Sequence, residues 1–469
     1  MADNDVAFAG VARQAELVRS GEISPRELVT LYLKRIAQLD TKLNAFRVVR
    51  AEQALTEADE AERRRASGEE APLLGVPIAV KDTQDVAGEI TTLGTGAVDA
   101  PANEDSEMVR RLRAAGAIVI GKTNLPELAF ALFTESPAWG ITRNPWDPTR
   151  IPGGSSGGSG AAVAAGLVPA ATGSDGAGSI RLPAACCSLF GLKPQRGRVP
   201  MDPLAEHWYG MSVNGFLTRS VLDTAILLDL TAGGGLAPRK PPAPSQTFAE
   251  AARASPGKLR IAASAQVARS LAPPMLDDRC RRALDETAEL LRSLGHEVVW
   301  RDPSYRGIGN QISVLYMRGI ADDARGLPHP ERLGRHVRQL ARLGRLYPNA
   351  AVRRAKGLIP KYARRINAIF DDCDVLLTPT IGEPPVPVSR WSSKRGLWTL
   401  AGMTRRTGYT PPWNYLGNPA AAVPAGFTED GLPLSVQLVG RPDDEETLLS
   451  LAAQIEAERP WADRRPPVS

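Results

Sequence analysis

Apolar positions along the chain change spacing repeatedly, and each change predicts an element. Between residues 24 and 39 they recur three and four apart, with Leu28, Leu31, Tyr32, Ile36 and Leu39 on one helical face. Ser24 is a good N-cap, Pro25 suits the first helical position, and Glu27 completes a capping box. A Glu/Ala/Arg-rich run over 51–67 predicts a second, more solvated helix. After Pro72 the pattern becomes a continuous apolar run, Leu73-Leu-Gly-Val-Pro-Ile-Ala-Val80, which predicts a short buried strand ending at Lys81.

Two further segments read helix, glycine, strand. Val109 and Leu112 face inward, Gly116 suits a left-handed C-cap, and 117–120 is a buried strand. Cys280, Leu284, Ala288, Leu291 and Leu294 likewise line a helix that stops at Gly295, before a strand around Val298 and Val299. This alternation predicts an α/β fold, a sheet packed between layers of helices. Residues 233–256, with Arg239-Lys-Pro-Pro-Ala-Pro244, read as a linker, and about 258–370 as a helical insertion. Strands return at 374–377, 421–423 and 434–439, and a last amphipathic helix from near Asp443 carries Leu448, Leu451, Ala452 and Ile455.

Composition narrows the function classes. The chain has 469 residues and a net charge of +5, too little for a dedicated nucleic-acid binder. Its 43 glycines and 39 prolines exceed the usual share of about 12% and point to many tight turns and backbone-lined sites. The four histidines (His207, His296, His329, His336) are scattered, and of four cysteines only Cys186 and Cys187 are adjacent, so neither a metal knuckle nor a disulfide framework is expected. The start, Met1-Ala-Asp-Asn-Asp5, is acidic where a signal peptide is basic, and no apolar run nears the ~18 residues of a membrane span. The expectation is a cytoplasmic globular protein. One charge cluster stands out, from Arg332 through Arg335, Arg338, Arg342, Arg345, Arg353, Arg354, Lys356, Lys361 and Arg364 to Arg365, against Glu331 alone. With few aromatics interleaved for base stacking, it reads as a solvated helix face or a subunit contact.

Two motif matches are decoys. Gly116-Ala-Ile-Val-Ile-Gly-Lys-Thr123 fits the phosphate-loop pattern, but its intervening residues form the strand itself instead of curling around a phosphate. Gly153-Gly-Ser-Ser-Gly157 fits a nucleophile elbow, yet a proline-rich loop precedes it and no histidine has a supporting context, which argues against a Ser-His-Asp esterase. The whole stretch 152–183 says more. Two Gly/Ser loops bracket an apolar segment, so both can meet at one sheet edge. Glycines let backbone N–H groups converge on one point, and serines among them can attack a carbonyl held there. Lacking a histidine base, the site needs another, and a buried lysine kept neutral by desolvation would serve. Lys81 is the obvious choice and Lys122 the competitor.

At this point the chain resembles the amidase signature family over most of its length, in particular free-standing amidases of the actinobacterial type and fatty-acid amide hydrolase. The carriers are Gly75-Val-Pro-Ile-Ala-Val-Lys-Asp82, Gly121-Lys-Thr-Asn-Leu-Pro-Glu127, the Gly/Ser stretch, Gly191-Leu-Lys-Pro194 and Gly431-Leu-Pro-Leu-Ser-Val-Gln-Leu-Val-Gly440. The resemblance implies one domain over 1–469, a large mixed β-sheet between layers of α-helices, with a motif-bearing core at about 70–235 and 371–460. It implies a Ser–cis-Ser–Lys triad in which Lys81 is the base, Ser155 the bridging cis-serine and Ser179 the nucleophile, leaving Lys122 structural. Backbone N–H groups of Gly176, Ala177, Gly178 and Ser179 would form the oxyanion hole; Asp175 and Arg181 would brace it, and Ser156 and Ser159 would shape the loop. Ala129 and Phe130 fall where the family's acyl channel runs.

The implied reaction is hydrolysis of carboxamides through an acyl-enzyme, extending to esters, aryl acylamides, fatty amides and carbamates (urethanes), with no metal or organic cofactor. The partner is a small-molecule amide, and the protein a monomer or homodimer. Specificity would come from the insertion and from 391–415. The chain departs from the family at Ala177, usually glycine, at Ser188, usually glycine, and at Gln195, usually threonine. A methyl at 177 is tolerable only if that backbone does not need positive φ. The A subunit of glutamyl-tRNA amidotransferase shares the fold, but Leu182 stands here where that subunit has glutamine, and Leu125-Pro126-Glu127 where it has Met-Asp-Glu.

Overall fold

Strand residues of this chain divide between two apolar cores, and that division builds the molecule. The computed structural model describes residues 3–268, 272–392 and 394–469. Met1 and Ala2 of the acidic start, and Ser393 within 391–415, lie outside the described residues. The strands are β1 (Phe46–Val49), β2 (Pro77–Lys81), β3 (Ile118–Thr123), β4 (Glu135–Ser136), β5 (Gly140–Ile141), β6 (Ala170–Asp175), β7 (Phe190–Lys193), β8 (Val213–Thr218), β9 (Arg260–Ala263), β10 (Glu297–Trp300), β11 (Val375–Pro379), β12 (Ala420–Phe427) and β13 (Pro433–Gly440). Eleven of them form one mixed sheet in the order β1-β3-β2-β6-β8-β7-β12-β13-β11-β9-β10, while β4 and β5 pair as a separate ribbon.

Side chains alternate across a strand. Ala79, Ala171, Leu217, Ala262, Leu376 and Ala422 therefore join one core. Their neighbours Ile78, Ala170, Phe216, Ile261, Leu377 and Val423 join the other. Helices cover both faces. Pro25–Leu43, Gly157–Ala164, Arg181–Cys187 and Ile308–Gly326 pack into the first core, and Glu107–Ala114, Val221–Thr231, Asp278–Ser293 and Glu445–Glu458 into the second. The result is the α/β sandwich that the alternation predicts.

Local expectations are met where chemistry is local. The Ser24 side chain accepts from Glu27 N–H, and the Glu27 carboxylate returns the bond to Ser24 N–H, closing the capping box. Gly116 and Gly295 take φ of 95° and 93°, ending their helices in the left-handed region. Two differences concern longer-range order. The stretch 258–370 is not wholly helical, because β9 and β10 pair in parallel there and β9 joins β11, extending the sheet to its edge. The linker 233–256 contains a short helix, Phe248–Ala251, closed by its own Thr247/Glu250 capping box. The arginine-rich run forms helices Arg335–Gly344, Asn349–Gly357 and Ile359–Asn367, with Arg335, Arg338, Arg342, Arg345, Arg353, Arg354, Lys361 and Arg364 exposed. Among the described residues no helix is long and apolar enough to cross a membrane.

Candidate active site

The last residue of β2 is Lys81, and neighbouring strands bury it fully. Its backbone N–H donates to Thr172 Oγ1 (2.8 Å) on β6. Its Nζ lies 2.8 Å from Ser155 Oγ, 2.9 Å from Ser174 Oγ and 3.4 Å from Ser174 O. These neighbours are all uncharged oxygens. Burial lowers the ammonium pKa to about 7, a fall that the more distant Asp175 carboxylate only partly opposes.

Lys122, the competitor, is equally buried on β3, but its Nζ lies 2.8 Å from the Asp82 carboxylate and donates to Thr91 Oγ1 (2.7 Å) and Ile90 O (3.2 Å). Arg47 reaches the same carboxylate at 3.2 Å. Lys122 is thus one member of a buried ion-pair cluster. The phosphate-loop match dissolves as well, since its residues run straight along β3.

Both Gly/Ser loops come to one place. The first reaches Ser155 through a cis Gly154–Ser155 bond and continues into helix Gly157–Ala164. A Cβ at Gly154 would stand 2.5 Å from Ala131 O, so this close approach requires glycine. Ser156 ties the loops together: its N–H donates to Ser179 O (3.2 Å) and its hydroxyl to Ser174 O (3.4 Å). Ser159 Oγ donates to Thr172 O (2.8 Å) inside the sheet-facing core.

The second loop, 176–180, is held by a buried ion pair. Arg181 Nε and Nη2 each donate to the Asp175 carboxylate (3.0 Å), and Arg181 also reaches Asn414 Oδ1 and Gln437 Oε1 (2.6 Å each). Asn414 Nδ2 donates to Asp175 O and Oδ1 (2.7 and 2.8 Å). This network keeps the Asp175 carboxyl well below its usual range despite burial, which pushes the other way. Gly178 takes φ of 130°, and a Cβ there would meet Thr410 Oγ1 at 2.5 Å. Ala177 has no such φ, so the methyl that departs from the usual glycine is accommodated. The Gly178 N–H donates to Asp175 Oδ1 (2.6 Å) and is therefore taken, whereas those of Gly176, Ala177 and Ser179 have no acceptor among the described residues.

Lys81 and Ser155 are thus in hydrogen-bond contact, while Ser155 and Ser179 form no hydrogen bond between themselves; they line the same polar cavity, along with Ser174 and Gly176. Ser179 also opens onto a second, apolar cavity. Ala129 and Phe130 line this second cavity, together with Leu132, Leu182, Met317 and Met403. The Phe130 carbonyl accepts from Tyr316 O–H and its ring packs at a tilt against His336, centroids 5.6 Å apart, so helices of the 258–370 stretch hold this wall.

Sequence reasoning missed two groups. Ser174 sits beside Lys81 because Thr172 and Ser174 share one face of β6; the period of two was a usable signal, but only with the β2–β6 pairing known. His207, which lacked any supporting context in the sequence, lies between Ser212 Oγ (3.2 Å) and Asp323 (3.0 Å), and Trp208 Nε1 shares that carboxylate (2.7 Å). Among the described residues there is no group of three or more His, Cys, Asp or Glu side chains that could hold a metal ion.

Comparisons with known proteins give likenesses over nearly the whole chain. The sequence model of the Amidase family matches residues 27–449. A Mycobacterium tuberculosis protein named "Putative amidase AmiB2" is 49% identical, with all of both chains covered. The solved structure of 6-aminohexanoate cyclic dimer hydrolase superposes with a TM-score of 0.89 at 32% identity, covering 98% of this chain and 99% of that one. A bacterial aryl acylamidase of the amidase signature family superposes with a TM-score of 0.88 at 27% identity, covering 97% of each chain.

Proposed function

The chain belongs to the amidase signature family and is an amide hydrolase, and on that premise we propose that bond cleavage runs through Ser179, Ser155 and Lys81. One observation carries this reading: a fully buried lysine without a carboxylate partner among the described residues, 2.8 Å from a serine that shares a cavity with a second serine. A neutral amine in that position has two N–H groups for the two Ser174 oxygens and a lone pair for the Ser155 hydroxyl.

In acylation the Ser155 proton passes to Lys81 Nζ while the Ser179 proton passes to Ser155, and Ser179 Oγ bonds to the amide carbon. The free N–H groups of Gly176, Ala177 and Ser179 receive the oxyanion; each such donor is typically worth about 3 kcal/mol in the transition state. Gly178, whose N–H holds Asp175, contributes by giving the loop its turn. The protons then return through Ser155 to the amide nitrogen, the C–N bond breaks, and the amine leaves. Water repeats the sequence on the acyl-enzyme. Ser155 and Ser179 close to hydrogen-bond distance on substrate binding, as catalytic contacts often do. Because the chemistry is acyl transfer, esters, anilides and carbamates fall within its reach.

The whole chain acts as one catalytic domain, in which 258–370 supplies a substrate wall through Ile312, Tyr316 and Met317. A competing Ser-His reading has one observation in its favour, the Ser212–His207–Asp323 contacts. Ser179→Ala separates the two: it abolishes amide turnover with the fold retained under our reading, and leaves turnover in place if Ser212 is the nucleophile.

A further inference from the structure

We propose that the polar cavity is a subsite for a cationic amine leaving group, read by Asp85, Asp202 and the Ser106 hydroxyl, so that the preferred substrates join an apolar acyl group to a diamine or polyamine. This rests on the mechanism above and names its substrate class.

Orientation comes first. Ser179 lines both cavities, but Ser155 lines only the polar one. Since Ser155 returns the proton to the departing nitrogen, that nitrogen must lie on the polar side. The acyl group then extends the other way, among Phe130, Leu132, Met317 and Met403.

Charge comes second. The polar cavity is walled by five carboxylates, Asp85, Asp202, Glu206, Asp322 and Asp323, and among its described lining residues the only basic side chain is His207. Three of the five are engaged: Glu206 with Lys356 (2.5 Å), Asp322 with Arg318 (3.0 Å) and Arg325 (2.7 Å), and Asp323 with His207 and Trp208. The Asp202 carboxylate accepts one backbone N–H, from Leu236 (3.1 Å). Asp85 carries no ion pair among the described residues. Backbone contacts place these two together: Ser106 N–H donates to Asp85 O (3.0 Å) and Glu107 N–H to Asp202 O (3.3 Å).

Ser106 is the independent sign of a ligand. It is 8% exposed, lines the same cavity, and its buried hydroxyl has no hydrogen-bond partner. It occupies the N-cap position of helix Glu107–Ala114 yet does not cap it. A buried hydroxyl left without a partner is unfavourable, and a bound donor removes that cost. Thr83 Oγ1, also on this wall, is likewise buried and unpartnered. An ammonium supplies three donors and a charge, which suits two carboxylates and two hydroxyls.

The test compares three amides with one acyl group: N-hexanoyl-1,4-diaminobutane, N-hexanoyl-pentylamine and N-hexanoyl-4-aminobutanoate. Hydrolysis is measured on the wild-type chain and binding on Ser179→Ala. We expect kcat/KM and affinity to fall at least tenfold from the cationic to the neutral amide and further to the anionic one. The cationic preference should shrink with added salt and collapse in Asp85→Asn and Asp202→Asn. Equal kcat/KM and equal binding for the cationic and neutral amides overturn the inference, as does a preference unchanged in both variants. Binding that keeps the preference while none of the three is hydrolysed supports the subsite and counts against the catalytic reading instead.

Discussion

Lys81 and Lys122 stand on adjacent parallel strands, are both fully buried, and follow similar apolar runs. The register pairs Val80 with Lys122, so the two lysines leave the sheet on opposite faces. One meets the Asp82 carboxylate at 2.8 Å, the other three serine oxygens between 2.8 and 3.4 Å. Burial lowers both pKa values, but only Lys122 has a close anion to offset it. Burial alone therefore does not make a base of a lysine; the charge of its nearest partner decides. An amine facing hydroxyls can give up its proton, whereas one facing a carboxylate holds its charge and the fold together.

The largest effect that could break this comparison is catalytic. Lys81→Met should lower kcat/KM for an amide a thousandfold or more, about 4 kcal/mol of transition-state stabilisation, with the melting temperature held or raised because a desolvated amine is removed. Next comes stability. Lys122→Met leaves Asp82 short of a buried partner and should cost about 3 kcal/mol in denaturant unfolding, the lower end for a broken buried pair because Arg47 remains. If Lys122→Met instead costs more activity than Lys81→Met, the assignment is reversed.

The pH dependence sharpens the comparison. With Lys81 lowered to about 7, kcat/KM should rise tenfold per unit below that pH and level off above it, where chemistry limits the rate. An unfolded lysine titrates near 10.4, so between about 7 and 10.4 the unfolded chain binds the extra proton. Stability therefore rises with pH across this window, and the penalty is fully present below it. The Lys81 share of that slope should be lost in Lys81→Met, leaving the share of the other buried lysines, Lys122 and Lys193, whose pKa values burial also lowers. Loss of amide turnover in His207→Asn, with the fold retained, would favour the Ser-His reading. The smallest effect concerns Ser174, whose hydroxyl oxygen accepts from the ammonium more strongly than from the amine. Ser174→Ala should move the inflection down by about 0.7 unit, the equivalent of one hydrogen bond of ~1 kcal/mol.

The sequence made legible what neighbouring residues determine. The Ser24/Glu27 box, the left-handed glycines at 116 and 295, and the strand that buries Lys81 all follow from local pattern. The family motifs also singled out Lys81, Ser155 and Ser179, and the structure brings the first two into contact and the third to the same cavity. What stayed hidden depends on strands far apart in the chain. Ser174 meets Lys81 only through the β2–β6 pairing, and the Gly178 N–H is engaged only because Asp175 turns back onto it. The strands at 260–263 and 297–300 join the sheet through β11, more than seventy residues further on. His207 acquires its partners only when 207–212 meets Asp323.

Labelling with a fluorophosphonate, its site mapped by mass spectrometry and its rate followed against pH, tests the central claim most directly. The account predicts an adduct on Ser179, a labelling rate that climbs through about pH 7 and then levels, and a loss of a thousandfold or more in Lys81→Met but not in Lys122→Met. An adduct on Ser212, or labelling of Ser179 at an undiminished rate in Lys81→Met, would contradict it.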